Sequence, residues 1–387
     1  MKRTMLTGLY NTWLRQRAAK RPKPLNVIAF MTYRCTNRCA TCNIWKRTEG
    51  RVDAFKAKEL SMQAWDRIIE KLSHAGVHSL EIFGGDSLLC QDVVFPLIEK
   101  CTDLGIDTYL PTNCNLLDEF AAVRLVTAGL GTVYFSIDGN DGLQNTIRGN
   151  TNAHTNATQA IRYIHDAKKK LGKTKPRMGV LTTVSNMNVD QIEPILNEFK
   201  KYPIDFVYLR ALSEVTEDDV DGSIIDGIAA TPFFTSTFET SNLLSDKQAD
   251  NFKALLRRLH RKRTSWPFFL SLSCPASLSK QTYTQGIYLD YPCHLCTTVV
   301  TLTPSGQVVP CPFFTDYILG DLNREPSLEA IWGNDKHLAF IKKQRERGLA
   351  VCRKCCMRHL YPGVEEKIRQ VINPYLDRLN RKRWGGF

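Results

Sequence analysis

The chain has 387 residues, 43% of them hydrophobic and 24% charged, the composition of an ordinary globular protein long enough for two or three domains. No apolar run approaches the ~20 residues needed to cross a bilayer, and the N-terminus lacks the apolar core and small-residue cleavage site of a secretory signal, so the expected compartment is the cytoplasm. The balance of 52 basic against 39 acidic residues, +13 at pH 7, admits phosphorylated substrates, nucleic acid or anionic lipid as partners without choosing among them.

Residues 1–24 form a basic extension in which Met5, Leu6, Leu9, Tyr10, Trp13 and Leu14 recur at roughly helical spacing. That spacing predicts a helix packed on the main domain, or one lying on an anionic surface or a partner. From 25 to 211 short β-branched runs alternate with longer amphipathic stretches. Strands are predicted at 26–32, 78–83, 106–111, 132–138, 178–184 and 204–210, with helices at about 62–75, 92–104, 118–128, 156–171 and 190–200. Such alternation predicts an α/β fold with a mainly parallel sheet, a partial (βα)6 barrel with its reactive groups at the C-terminal strand ends.

Residues 212–286 read as an insertion and linker with a basic helix at about 246–263. A small cysteine-rich unit follows at 287–360, then a C-terminal helix and basic tail at 361–387.

The 13 cysteines are grouped, with none between Cys114 and Cys274, which in a reducing compartment favours metal or cluster ligation over disulfides. Cys35, Cys39 and Cys42 fall on one loop after the first strand. Three thiolates can hold three corners of a four-iron cluster and leave one iron open. The plainer alternative is a zinc site with Cys39 and Cys42 as one half. Cys90 and Cys101 read as small buried hydrophobes, and Cys114 either as that or as a pocket residue.

The C-x-x-x-C-x-x-C spacing, followed by Asn43, Ile44 and Trp45, resembles the radical S-adenosylmethionine family across about residues 25–360. The resemblance implies a [4Fe-4S] cluster on Cys35, Cys39 and Cys42 whose open iron is chelated by S-adenosylmethionine. Reductive cleavage then gives a 5′-deoxyadenosyl radical that abstracts a substrate hydrogen. An electron donor such as flavodoxin or ferredoxin is implied as a partner.

Gly84, Gly85 and Asp86 resemble the family's Gly-Gly-Glu motif for the cofactor's amine, with Asp in place of Glu. By the same resemblance Trp45, Thr112, Asn113, Ser136, Asp138 and Arg148 are cofactor-binding or pocket candidates. Asp138, Arg210 and Glu214, at or beyond late strand ends, are the candidates for acid-base chemistry.

The segment 291–313 predicts a hairpin that returns Cys293 or Cys296 toward Cys311. It resembles the auxiliary-cluster domain called SPASM, or its shorter twitch relative. One auxiliary cluster is implied, on Cys293, Cys311, Cys352 and Cys355, with Cys296 and Cys356 as rivals; a zinc ribbon is the alternative reading. The short stretch before the first strand points to a small-molecule, carbohydrate or lipid-like metabolite as substrate. The alternatives are a peptide-modifying maturase and a non-catalytic iron-sulfur protein that binds nucleic acid.

Overall fold

A computed structural model describes residues 22–237, 239–288 and 293–360. The helices predicted in the N-terminal extension and at the C-terminus lie outside these residues.

Strands β1 (Asn26–Thr32), β2 (Ser79–Gly84), β3 (Asp107–Thr112), β4 (Thr132–Ser136), β5 (Arg177–Val184) and β6 (Phe206–Ala211) form within a residue or two of expectation. Between them lie α1 (Met62–His74), α2 (Gln91–Asp103), α3 (Glu119–Thr127), α4 (Asp141–Arg148), α5 (Ala153–Lys170) and α6 (Ile192–Phe199). Helix α1 shows why they form there. Its Ala64, Trp65, Ile68, Ile69 and Leu72 make one buried stripe, so burial against the sheet, more than propensity, holds it.

The sheet is larger than six strands. After the basic helix α7 (Asp246–Arg261), β7 (Phe269–Ser271) pairs parallel to β6. The cysteine-rich segment contributes β8 (Val299–Leu302), β9 (Gln307–Val309) and β10 (Gly320–Asp321), followed by α8 (Asp335–Arg347). The order is β10-β9-β8-β1-β2-β3-β4-β5-β6-β7, parallel from β8 to β7, with β9 and β10 antiparallel. Strand β8 runs beside β1 from Asn26↔Val299 to Ala29↔Leu302, so the cysteine-rich segment shares the core sheet. It thereby covers the main-chain edge that β1 would otherwise expose.

Side chains alternate between two environments. Val27, Ala29, Met31, Leu80, Ile82, Val133, Phe135, Val207 and Leu209 pack with Trp65, Ile68 and Ile161 of the outer helices. The opposite face carries Ile28 and Phe30, then Glu81, Tyr109, Tyr134, Phe206, Tyr208 and Arg210. Ring contacts from Tyr134 to Tyr109, Phe206 and Tyr208, with centroids 6.4, 5.5 and 6.4 Å apart, mark that face as the concave interior.

Candidate active site

The loop carrying Cys35, Cys39 and Cys42 is clamped from three directions. From the end of β2, the Gly85 and Asp86 N–H groups donate to the Thr32 and Arg34 carbonyls at 2.9 and 2.8 Å. A Cβ on Gly84 would stand 2.4 Å from the Thr32 oxygen and one on Gly85 2.1 Å from the Arg34 oxygen. The glycine pair is therefore demanded by the loop's own backbone, before any cofactor is considered. From α4, the last carbonyls, of Ile147 and Arg148, accept from Ala40 N and Arg38 N at 2.8 and 3.2 Å. The third clamp is the segment expected to be linker: Asn43 donates to the Phe233 and Thr235 carbonyls at 2.6 and 3.0 Å, and Asn242 to that of Ala40 at 3.3 Å.

Polar side chains tie the loop further. The Thr36 hydroxyl donates to Asp86 Oδ2 at 2.5 Å while accepting from Asn113 and Asn115, both at 2.9 Å. Asn113 also lies 3.8 Å from the Cys35 sulfur. Asp86 caps the following turn by accepting from Leu88 N at 3.3 Å; its burial pushes its carboxyl up from the usual range. Arg148 pairs with Asp138 at 2.7 Å and reaches to 4.0 Å from the Cys39 sulfur. The other Asp138 oxygen accepts from Thr183 N at 2.7 Å.

Several candidates thus have structural duties. Asp138 anchors Arg148 through one oxygen and accepts from Thr183 N through the other. Glu214 is buried, and its oxygens accept from Ser236 Oγ at 2.5 Å and Asn242 N at 2.9 Å. Both contacts secure the segment that carries Ser236 and Asn242. Thr112 lies on the helix-facing side and accepts from Cys114 N at 3.0 Å, while Asn113, one residue later, meets the loop. Ser136 is held through its carbonyl, which accepts from Gln144 at 3.0 Å. Cys114, Cys90 and Cys101 are buried thiols, each pushed up to about 12 by desolvation, and inert.

The second cysteine group surrounds a cavity lined by Cys293, Cys296, Cys311, Cys352 and Cys355, with Phe313, Phe340 and Gln344 beside them. Hairpin β8–β9 returns Cys311 to this cavity, and the short helix Ala350–Arg353 brings in Cys352. Cys356 is not on the lining. Its N–H donates to Ser213 Oγ at 3.4 Å, and its thiol feels the charge of Arg210 on the concave face. The Cys296 thiol donates to the Cys293 carbonyl at 3.7 Å, and its hydrogen bonding draws the Cys293 thiol below the usual range. His337 is fully buried: its Nδ1 accepts from Gly333 N at 3.0 Å, so its Nε2 donates to the Cys296 carbonyl at 2.8 Å.

Both places suit electron-rich groups. Three of the buried donors without a protein partner are Asn37 Nδ2, Trp45 Nε1 and Arg148 Nε, all on or against the Cys35–Cys42 loop. Sulfides, thiolates or a carboxylate would satisfy them. At the second place, Phe313 N and Gln344 Nε2 already donate to the Cys311 and Cys352 sulfurs at 3.4 and 3.6 Å. Among the described residues no three His, Cys, Asp or Glu side chains converge on a point that would hold a single ion. Thiolates on separate irons of a cluster stand farther apart than four on one tetrahedral zinc.

The sequence reading missed Glu81, Tyr109, Tyr134 and Tyr208. A signal was present. Parallel strands covered on both faces read as continuous apolar runs, whereas SLEIFG, DTYLPT, TVYFS and FVYLRA each place a polar or hydroxyl-bearing residue at alternate positions. The missed α4, which carries Arg148, is polar, with Leu143 and Ile147 as its main apolar residues.

Comparison with known proteins agrees with this architecture. The radical SAM superfamily model matches residues 30–199, and that of the iron-sulfur cluster-binding domain SPASM matches 293–356. The PqqA peptide cyclase of Bradyrhizobium diazoefficiens is 28% identical over 145 residues, 37% of this chain and 36% of that protein. The match to this relative thus spans about a third of its length. The PqqA peptide cyclase of Methylorubrum populi is 20% identical over 361 residues, 86% of this chain and 81% of that protein. Among solved structures, anSMEcpe with bound AdoMet and the Cp18Cys peptide superposes with a TM-score of 0.59 at 17% identity, covering 92% of this chain and 98% of that one.

The chain is a radical S-adenosylmethionine enzyme. Within that class it belongs with the members that carry a C-terminal SPASM domain, and its cofactors are [4Fe-4S] clusters and S-adenosylmethionine. The reading as a non-catalytic carrier falls with this, and so does a small-molecule, carbohydrate or lipid-like substrate. The similar proteins named above are peptide cyclases, or are solved with a peptide. The short stretch before β1, which motivated a metabolite, does not discriminate, because anSMEcpe is matched over 98% of its length and still binds a peptide.

Proposed function

We propose that this enzyme modifies a peptide by abstracting a hydrogen atom from one of its residues. Cys35, Cys39 and Cys42 hold the cluster that binds S-adenosylmethionine, and the pair supplies a carbon-centred radical when reduced. Cys311, Cys352 and Cys355, with Cys293 or Cys296, hold one auxiliary cluster. Asn113 and Asp86 orient the cofactor's methionyl end, Asp86 accepting from its amine directly or through water. Residues 231–237 and 239–242, which cover the loop, keep water from the radical. The observation that carries the reading is the concave face of aromatic and charged side chains between the two cysteine groups. There a substrate residue meets the radical on one side and an electron acceptor on the other.

The flow of electrons follows. One electron enters from a small reductant such as flavodoxin or ferredoxin, and one leaves the substrate radical for the auxiliary cluster while a proton goes to solvent. We place the protein in a reducing compartment, the cytoplasm, in keeping with the free cysteines found throughout the described residues. Among those residues no helix is long and apolar enough to cross a membrane. The test is anaerobic incubation of the reconstituted enzyme with peptide pools, S-adenosylmethionine and dithionite. The expected result is 5′-deoxyadenosine together with a peptide lighter by about two hydrogens. A sample that makes 5′-deoxyadenosine only with non-peptide metabolites refutes the reading.

A further inference from the structure

The charged side chains around the site divide into two kinds. Nearly all are matched. Arg34 makes a two-point pair with Glu59 at 2.6 and 2.9 Å, Asp138 holds Arg148 at 2.7 Å, and Glu214 and Asp86 are hydrogen-bonded as described. Arg210 and Glu81, both on the concave face, are the exceptions, since neither has a hydrogen bond or an ion pair among the described residues. Arg210 projects from β6 on the same side as Phe206 and Tyr208, opposite Val207 and Leu209, which pack on the helices. It is half-buried, and among the described residues its guanidinium has neither a hydrogen bond nor an ion pair. Its charge is felt by Glu81 and Tyr134 on the concave face and by Cys356, and no hydrogen bond or ion pair joins it to any of them. Glu81 is the acidic group whose charge acts on it, but no direct ion pair forms, so the guanidinium's hydrogen-bonding donors are left for a partner that arrives.

Its location says what arrives. On one side, Arg210 is in register with Thr183, whose N–H holds Asp138, which holds Arg148 beside Cys39. On the other side its charge reaches Cys356, next in sequence to Cys355 on the auxiliary cavity. Arg210 therefore stands between the two cysteine groups, where the reacting part of a substrate must lie. We infer that Arg210 is the substrate anchor and that it takes a carboxylate of the peptide, from an acidic side chain or from its C-terminus. The planar guanidinium offers two parallel N–H donors that match a carboxylate and no neutral group as well. The surplus of 52 basic over 39 acidic residues favours the approach of an acidic peptide. Glu81, deeper in β2, opposes a carboxylate that overshoots Arg210, and so sets the depth of insertion.

This inference rests on the peptide reading, and the two can fail separately. The experiment measures retention of three synthetic peptide pools by the holoenzyme with S-adenosylmethionine bound. The first pool has a fixed central Glu and an amidated C-terminus, the second a central Gln and an amidated C-terminus, the third a central Gln and a free C-terminal carboxylate. The wild type is expected to retain the first or the third pool tenfold or more above the second, which also tells side-chain from terminal carboxylate. In R210Q that preference should disappear, with affinity for the favoured pool down by about a hundredfold, and R210K should keep part of it. Iron content and the EPR spectrum establish that both variants are folded and loaded. Equal retention of all three pools by the wild type, or a preference that survives in R210Q, overturns the anchor and leaves the peptide reading standing. Retention of no pool overturns both.

Discussion

Arg148 joins Asp138 to Cys39, one guanidinium nitrogen lying 2.7 Å from the carboxylate and another 4.0 Å from the sulfur. The carboxylate is 2% exposed and comes just after the end of β4, while the sulfur belongs to the loop after β1, so one side chain spans from the middle of the sheet to the cluster-binding loop. Breaking this pair from the carboxylate side leaves a cation buried without its counter-charge, which costs about 3–5 kcal/mol. Asp138→Asn keeps an oxygen for Thr183 N but not the charge. Denaturant unfolding should show a loss of that order, and reconstitution should give less iron at the first site. An unchanged midpoint with full iron would refute this role.

Gly85 is a second sensitive point. Its added Cβ would meet the Arg34 carbonyl at 2.1 Å, an encounter between two backbones that no rotamer relieves. Gly85→Ala should displace the Cys35 end of the loop and destabilise by about 1–3 kcal/mol, with iron loading lost at the first site and kept at the second. Gly142, in the first turn of α4, is the control, since its Cβ would meet nothing within 4 Å. Gly142→Ala should be neutral or slightly stabilising by thermal melt, as alanine favours a helix.

The six core strands were legible because their β-branched runs are regular and bounded by amphipathic helices, and the α/β class followed from the alternation. The three-cysteine loop, with its glycine pair, was legible as a motif. What the sequence did not disclose is contact at long separation. Nothing local in residues 299–302 announces a parallel partner for β1, and the polar stretch around Glu214 reads as linker because its hydrogen bonds go to loops far away in sequence. Asp138 looked like a free acid for the same reason: its two partners, Arg148 and Thr183, are 10 and 45 positions away.

The two adjacent cysteines near the end of the described chain should behave differently. Cys355 lines the auxiliary cavity, whereas Cys356 turns toward Arg210 and Ser213. Cys355→Ala should therefore cost about four irons of a total near eight, and Cys356→Ala should keep them all. The same measurement decides between Cys293 and Cys296, since only one of the two is needed to complete a set of four with Cys311, Cys352 and Cys355. Iron and sulfide quantification after anaerobic reconstitution reads each case, and iron loss on Cys356→Ala would contradict the placement.

Asn37 should tune the first cluster. Its Oδ1 accepts from Asn115 at 2.5 Å and from Asn150 at 3.0 Å, and the Asn115 oxygen is itself occupied by Asn156 at 3.1 Å. Reversing the Asn37 amide would set donor against donor, so the direction of the network is fixed and its Nδ2 is left as a fully buried donor with no protein acceptor. It sits between Cys35 and Cys39, with its backbone N–H already 3.5 Å from the Cys35 sulfur, and under the proposed ligation of the first cluster by this loop its acceptor is cluster sulfur. A donor to sulfur stabilises the reduced cluster and raises its potential. Asn37→Ala should consequently lower the midpoint potential, read by EPR titration in a Cys355→Ala background that removes the auxiliary signal. Asn150→Ala removes one of the donors that orient the amide and should produce a smaller shift in the same direction. A potential equal to that of the parent, in an Asn37→Ala sample with full iron at the first site, would show that the amide points elsewhere.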